Sequence, residues 1–549
     1  MGIFIHLAIS KSVTKEEWER VYEETLQLIK HLPLADRREV KIHGFDTVCL
    51  VRSEEYEDTY GYFDRKTRVG WNAVGDYQSM RRAENYYLPR DIVGENEIEK
   101  GAGDAIFEIL PVYMDYDRQD ERFFHVYDIF GGKTQGEPYH IYLLAVTALI
   151  EARLGTKAVT YGDITRGQLK KAVEIANKYL DNKIDMPDRC YVDRLLKRVS
   201  KFPLSSGEQL AVLEEFYLGT KDAEFGEYVR QMFSIEAIDE YWKYKFKNNK
   251  VGTIGFDMVF NEYLLWGFDL GKVCQYISFE DKDGNLKYEE FIKRVMDAKL
   301  HIKEKNCEDS LNIDQEEERP YGIATLFAQF AFAGARNKKI DRYIPIEDIR
   351  RDLVSVLGDK CDVESIIDKY LEEEAKQIEI NISSQDTSEE DIKKAVEQDP
   401  AEAFNQIMDI KCEELKKEQE KYDIDDCGNL IFYENGDTIH PGLMEAIAKS
   451  RKFLDSLLKK EKLKELLEKE AKECCEWLVK HNRYILIRDK DWEKIFTNIE
   501  NDKEVFGRYY TLFSVALDSR NLLDMGTAFV VNDDLYSYSK ILADELDEE

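Results

Sequence analysis

Pro138-Tyr139-His140-Ile141-Tyr142-Leu143-Leu144-Ala145-Val146-Thr147-Ala148-Leu149-Ile150-Glu151-Ala152-Arg153-Leu154-Gly155 marks the point where the chain changes character. Proline suits a first helical turn, where its missing N–H would have no intrahelical acceptor, and glycine suits the position just past a helix end. The run from Pro138 to Ile150 is nearly uncharged but too short to cross a bilayer, so it predicts a helix buried in protein. From here onward the spacing predicts helices almost throughout. Thr165 and Gln168 form a capping pair ahead of an apolar stripe of Leu169, Val173, Ile175, Ala176 and Leu180. Ser206 precedes a helix through Leu210, Val212, Leu213 and Phe216, closed by Gly219, and Ser234 precedes another from Ile235 to Phe246. Tyr321 to Ala335 reads as a further buried helix, rich in Ala, Gly and Phe. The connectors are short, as in a bundle or irregular helical array, and no repeat of fixed period holds.

Upstream of Pro138 the pattern differs. Ile3 to Ile9 fits a buried strand. Thr14 and Glu17 make a capping box, and Trp18, Val21, Tyr22, Leu26 and Ile29 share a helical face. Val40 to His43 and Thr47 to Val51 predict a hairpin around Gly44-Phe45-Asp46, giving a β-α-β-β opening. Glu54 to Gln135 is rich in Gly, Tyr and Asp, which predicts short strands and long loops. Toward the C-terminus, Ser383 to Glu390 is polar and reads as a linker. Pro441 to His481 predicts one long charged helix, and Tyr484 to Ile487 and Thr527 to Val531 read as strands.

The formal net charge is −33, from 111 acidic and 78 basic side chains. Such a surface repels phosphates and anionic lipid headgroups over roughly 8 Å at physiological salt. Nine cysteines, sparse and irregularly placed, fit reduced thiols better than a disulfide framework. Ile3 to Ile9 lacks the basic flank and cleavage site of an export signal, and His6 stands where a myristoylation motif needs Ser or Thr.

Several short patterns fail on the physics of the motif they resemble. Gly131-Gly132-Lys133-Thr134 lacks the glycine a phosphate-binding loop needs five positions earlier, where Tyr127 stands. Arg38 and His43 have the Arg-x-x-x-x-His spacing of HEPN ribonucleases, but they lie on a strand entering a turn, not at one helix end. Asp281-Lys282-Asp283-Gly284-Asn285 opens like a calcium loop, yet Leu286 and Ile292 replace its glycine and bidentate glutamate. One constellation survives: Asp115, Asp117, Asp120, Glu121, His125, Asp128, Glu137 and His140. Carboxylates and imidazoles together can bind a divalent metal or move protons, and His125, Asp128 and His140 are its candidate catalytic residues.

These observations predict a mainly α protein with a smaller N-terminal α/β (β-α-β-β) domain. Residues 1–135 form that domain with its Gly/Tyr/Asp-rich insert, 136–380 a helical domain, and 381–549 a C-terminal helical domain with a small mixed α/β cap. The functional expectation is a cytoplasmic protein-interaction or regulatory protein, with a bacterial defence or immunity-system component as one fitting setting. It would act through a protein partner, without cofactor, membrane or direct nucleic-acid contact. One alternative is a metal-dependent hydrolase sited around residues 115–140; another is an acidic mimic of DNA.

Overall fold

The computed structural model describes residues 3–60, 66–92, 103–110, 126–247, 249–280, 284–298, 300–303, 337–340, 343–383 and 421–548. The protein is mainly α-helical with an N-terminal α/β region. The chain opens β1 (Phe4–Ser10), α1 (Lys15–Ile29), β2 (Leu34–Ile42), β3 (Phe45–Arg52), the expected β-α-β-β order. Thr14 and Glu17 cap α1 reciprocally: the Glu17 amide donates to the threonine hydroxyl at 3.2 Å, and the Thr14 amide to the glutamate at 2.9 Å. The β2–β3 turn is centred on His43 and Gly44, at φ of 48° and 88°, slightly earlier than the spacing suggests. Two successive left-handed residues match the right-handed twist of a hairpin.

Five strands make one antiparallel sheet, ordered β3-β2-β5-β4, where β4 is Tyr56–Tyr60 and β5 is Lys66–Asp76. Strand β6 (Arg82–Pro89) pairs with β5. The short α2 (Ala105–Glu108), β7 (Val126–Lys133), α3 (Tyr139–Leu154), β8 (Ala158–Gly162) and α4 (Arg166–Tyr179) follow. A second antiparallel sheet, β7-β1-β8, has β1 at its centre. Gly131-Gly132-Lys133 therefore belongs to a strand.

Ile5, Leu7 and Ile9 point into one core together with α1, α3 and α4, a core that runs on to Cys190. Helix α3 is apolar on every face because every face is covered: thirteen of its sixteen residues are buried. The division expected after residue 135 thus falls inside a packed unit. The cause is non-local, since β8 closes the sheet against β1, with Leu7 opposite Thr160. The opposite face of β1 and β8 offers Ala8 and Val159 to a second core. That core belongs to the helical body, built from Val192–Val199, Ser206–Phe216, Ala223–Met232, Ile235–Lys247, Ile254–Leu265, Tyr288–Met296, Ile346–Leu357 and Val363–Ser383. Tyr321 to Ala335 and nearly all of the expected linker lie outside the described residues.

A third core joins Ala35, Cys49, Leu50, Val51, Tyr77 and Met80 of the first sheet to the C-terminal helices. Pro441 to His481 is three helices rather than one: Pro441–Leu457, Glu461–Leu467 and Ala471–His481. Lys460 and Glu470 interrupt it in extended conformation, and at the start of the third helix the Glu470 amide donates to the Glu473 carboxylate at 3.3 Å. The expected mixed cap is also corrected. Thr527 to Val531 is the end of helix Arg520–Val531, burying Met525, Ala528 and Phe529 at helical spacing. Ile487 and Arg488 run along the open edge of β3, where the Leu50 amide donates to the Ile487 carbonyl at 2.8 Å.

Candidate functional site

The residues singled out in the sequence are separated by the fold. His125, Asp115, Asp117, Asp120 and Glu121 lie outside the described residues. Asp128 sits on β7 near His6 of β1, exposed at the surface, and desolvation raises its pKa against the pull of His6. His6 stacks on Tyr161 of β8 with ring centroids 4.8 Å apart. His140 lies elsewhere, fully buried in the first turn of α3, with its Nδ1 2.6 Å from the Thr134 hydroxyl. Burial lowers its pKa to about 4, and the amide of Gln168 offsets this only in part. Among the described residues no group of three or more His, Cys, Asp or Glu side chains is placed to hold a metal ion. His140 should accordingly remain neutral in the folded protein until the pH approaches 4. Since its folded pKa lies below the unfolded one, it withdraws stability as pH falls below about 6.5. Imidazole NMR titration checks this, and a His140 midpoint near 6.5 would contradict the buried assignment.

Glu137, three positions before that histidine in the acidic run, leads to an unusual cluster of charge among the described residues. Between β7 and α3 the chain turns through Gln135 and Gly136, both left-handed at φ of 54° and 69°. The Glu137 amide donates to the Thr134 carbonyl at 3.0 Å. This turn carries the Glu137 side chain, 1% exposed, into the junction between the first sheet and the C-terminal helices. There Arg520 donates to its Oε1 at 3.2 Å. Arg81 Nη1 stands 3.8 Å from Oε2, beyond hydrogen-bond range.

Arg81 and Arg82 are delivered by the β5–β6 turn. Its Ser79 amide donates to Asp76, its Met80 takes a left-handed φ of 56°, and the Asp76 amide bonds the Arg81 carbonyl at 2.9 Å. A non-glycine residue with that backbone is uncommon; the Met80 side chain is anchored in the third core. Opposite stands a 3-10 helix, Cys427–Phe432, capped by Asp426, whose carboxylate accepts from the Gly428 amide at 2.7 Å. Asn532 ties this segment to the end of Arg520–Val531, donating to the Ile431 and Tyr433 carbonyls at 3.2 and 2.8 Å. Gly428 is glycine for a steric reason: a Cβ there would overlap the buried guanidinium of Arg81.

The result is a cavity lined by Arg81, Arg82, Gly428, Arg520, Asp524 and Thr527, among others. It encloses about 30 Å³ and opens to solvent. The inner space admits roughly two water-sized groups, which suits the head of a small anion rather than a whole nucleotide. Arg81 is 3% exposed, yet its Nε and Nη2 have no hydrogen-bond acceptor; Asp426 lies 3.8 Å from Nη2. Arg82 has no hydrogen-bond or ion-pair acceptor for its guanidinium among the described residues. Burial, together with Arg37 and Arg520 nearby, lowers its pKa. Burial opposes the charge of Arg520 too, but Glu137 and Asp524 outweigh it and raise its pKa. Arg520 also occupies the first position of its helix, where the macrodipole disfavours a cation. Its bond to Asp524 at 3.1 Å offsets this. Burial drives Glu137 the other way, to about 7, despite Arg81 and Arg520.

Three guanidinium groups converging on one cleft, with buried donors lacking acceptors, are the chemistry of oxyanion recognition. The cluster escapes the sequence because Arg81-Arg82, Glu137, Asp426 to Gly428 and Arg520 to Asp524 are far apart in the chain. The Arg81-Arg82 doublet is the sole local signal. Compared with known protein families, curated proteins and solved structures, the chain matches none. No helix of the described residues is long and apolar enough to cross a membrane.

Proposed function

We propose that this chain is a regulatory binding protein of the cytoplasm that receives a small oxyanion at the junction of its N-terminal sheet and its C-terminal helices. A phosphate or carboxylate head group is the ligand chemistry. The observation that carries this reading is Arg82, a half-buried arginine facing other arginines with no carboxylate of its own. A side chain placed against electrostatics in this way destabilises the empty fold, so its place is accounted for by a ligand rather than by packing. The site draws on both units, so binding would fix how they meet and present that state to a protein partner. Support for such a partner comes from Ile254 and Met258, one turn apart on Ile254–Leu265 and 81% and 67% exposed.

The test compares wild type with Arg82→Gln in thermal unfolding, with inorganic phosphate, sulfate, acetate and citrate at constant ionic strength. Without anion the variant should be as stable as wild type or more so, because like-charge repulsion is relieved. With at least one of these anions wild type should gain several degrees and the variant much less. Comparison with the variant removes the general stabilisation that excluded salts give any protein. Equal shifts in both proteins, or no shift from any of the four anions, would sink the reading.

A further inference from the structure

We infer that Glu137 is the internal competitor of this site, its carboxylate holding Arg81 and Arg520 until an incoming oxyanion displaces it and a proton from solvent takes the charge. The inference rests on the oxyanion reading of the cleft and adds its regulation.

The carboxylate is only half engaged. Oε1 accepts from Arg520 at 3.2 Å, whereas Oε2 is buried without a hydrogen-bond partner and lies 3.8 Å from Arg81. A fully bonded carboxylate between two arginines would be hard to displace; this one gives up a single bond. The charges facing it come from every neighbouring element: Arg81 from the β5–β6 turn, Arg520 and Asp524 from their helix, Asp426 from the head of the 3-10 segment. The Tyr139 hydroxyl, next on α3, also feels its charge.

Charge balance fixes what must happen on binding. Around this carboxylate Arg81 and Arg520 stand against Glu137 itself, Asp426 and Asp524, two positive against three negative, while Arg82 faces Arg37 and Arg520. An added anion leaves excess negative charge in a dry place, which is costly unless one carboxylate is neutralised. Glu137 is the group to be neutralised. Its side chain is 1% exposed, against 15% for Asp426 and 17% for Asp524. Burial has already brought its pKa to about 7, within reach of a physiological proton. Oε2, which has no donor to lose, receives that proton; Arg81 and Arg520 turn to the ligand. The Arg520 hydrogen bond to Oε1 passes to the ligand, and no covalent bond other than that O–H is made or broken. Affinity therefore rises as pH falls, and the site reports anion and acidity jointly.

Sulfate is the probe, since it stays fully ionised across the range. Calorimetric titrations at pH 7.5 in two buffers of different ionisation enthalpy count the protons exchanged. Wild type should take up roughly three-quarters of a proton per sulfate, the fraction of a group titrating at about 7 that is still ionised at pH 7.5. It should also bind roughly tenfold more weakly at pH 8 than at pH 6, the change expected for one group titrating near 7. In Glu137→Gln the uptake and the pH dependence should vanish, and affinity at pH 8 should match that of wild type at pH 6. Sulfate binding by wild type with no proton uptake and equal affinity at both pH values overturns the role of Glu137 alone. No sulfate binding by either protein at any pH overturns this inference, and it overturns the oxyanion site itself when phosphate, acetate and citrate also leave the unfolding temperature unmoved. Should the variant fail to fold, the wild-type proton count and pH profile still decide.

Discussion

Arg81→Met should cost about 3–5 kcal/mol of stability, the range found when one member of a buried ion cluster is removed and the others stay charged. Arg81 is 3% exposed, and its guanidinium lies between the carboxylates of Glu137 and Asp426, each 3.8 Å away. The loss is less a missing bond than a stranded anion, because Glu137 would keep only Arg520. The pH dependence follows in sign. The folded pKa of Glu137 is raised to about 7 from an ordinary 4.5. Its protonated form thus stabilises the fold fully below 4.5, and that contribution is lost as pH rises through 7. Without Arg81 the folded pKa climbs further, so the variant's deficit should be larger at pH 8 than at pH 6. Urea unfolding followed by Trp492, buried in the third core beside the junction, measures both. The double variant Arg81→Met with Glu137→Met should recover most of the loss, since it leaves no buried charge unpaired at that pair. A deficit under about 1 kcal/mol, equal at both pH values, would mean that water reaches the cluster and screens it.

The parts of the fold that are legible in sequence are those fixed by local chemistry. Thr14 with Glu17 and Thr165 with Gln168 cap α1 and α4 as their spacing predicts. The nearly uncharged run after Pro138 is buried, as its scarcity of charge predicts. Misreadings occur where two local solutions have similar energy. Thr527 to Val531 is apolar and partly β-branched, a pattern shared by a buried strand and a buried helix end; Ser519 capping the helix upstream decides it. The break before Ala471 has a glutamate at the N-cap position, a residue type that propensity does not favour there. The domain division and the arginine cleft were out of reach for a different reason. Both depend on contacts between distant segments: β8 beside β1, and Arg520 against Glu137, 383 positions away. Each segment of the cleft is unremarkable alone, and only the fold sums their charges.

Trp242→Ala should cost the helical body about 3–5 kcal/mol, the range for truncating a large buried ring. Trp242 is fully buried. Its ring meets Tyr241, Tyr263 and Trp266 edge-on at centroid distances of 4.9, 5.0 and 5.0 Å, with Phe268 at 5.6 Å. These rings come from two helices, Ile235–Lys247 and Ile254–Leu265, and from the chain just after them, so one truncation loosens all three segments. Trp242→Phe should cost less than the alanine variant, because it keeps an aromatic ring in the site and leaves a smaller cavity. The indole N–H is buried without an acceptor, so the smaller ring also removes an orphan donor. Far-ultraviolet circular dichroism during urea unfolding reads the helical body directly. Because the arginine cleft draws its walls from the first sheet and the C-terminal helices, and shares no side chain with this aromatic core, sulfate affinity should stay within about twofold in folded Trp242→Ala, the additivity of distant sites. A collapse of sulfate binding alongside the helical body would instead mean that the two ends of the chain are held in register by the helices between them.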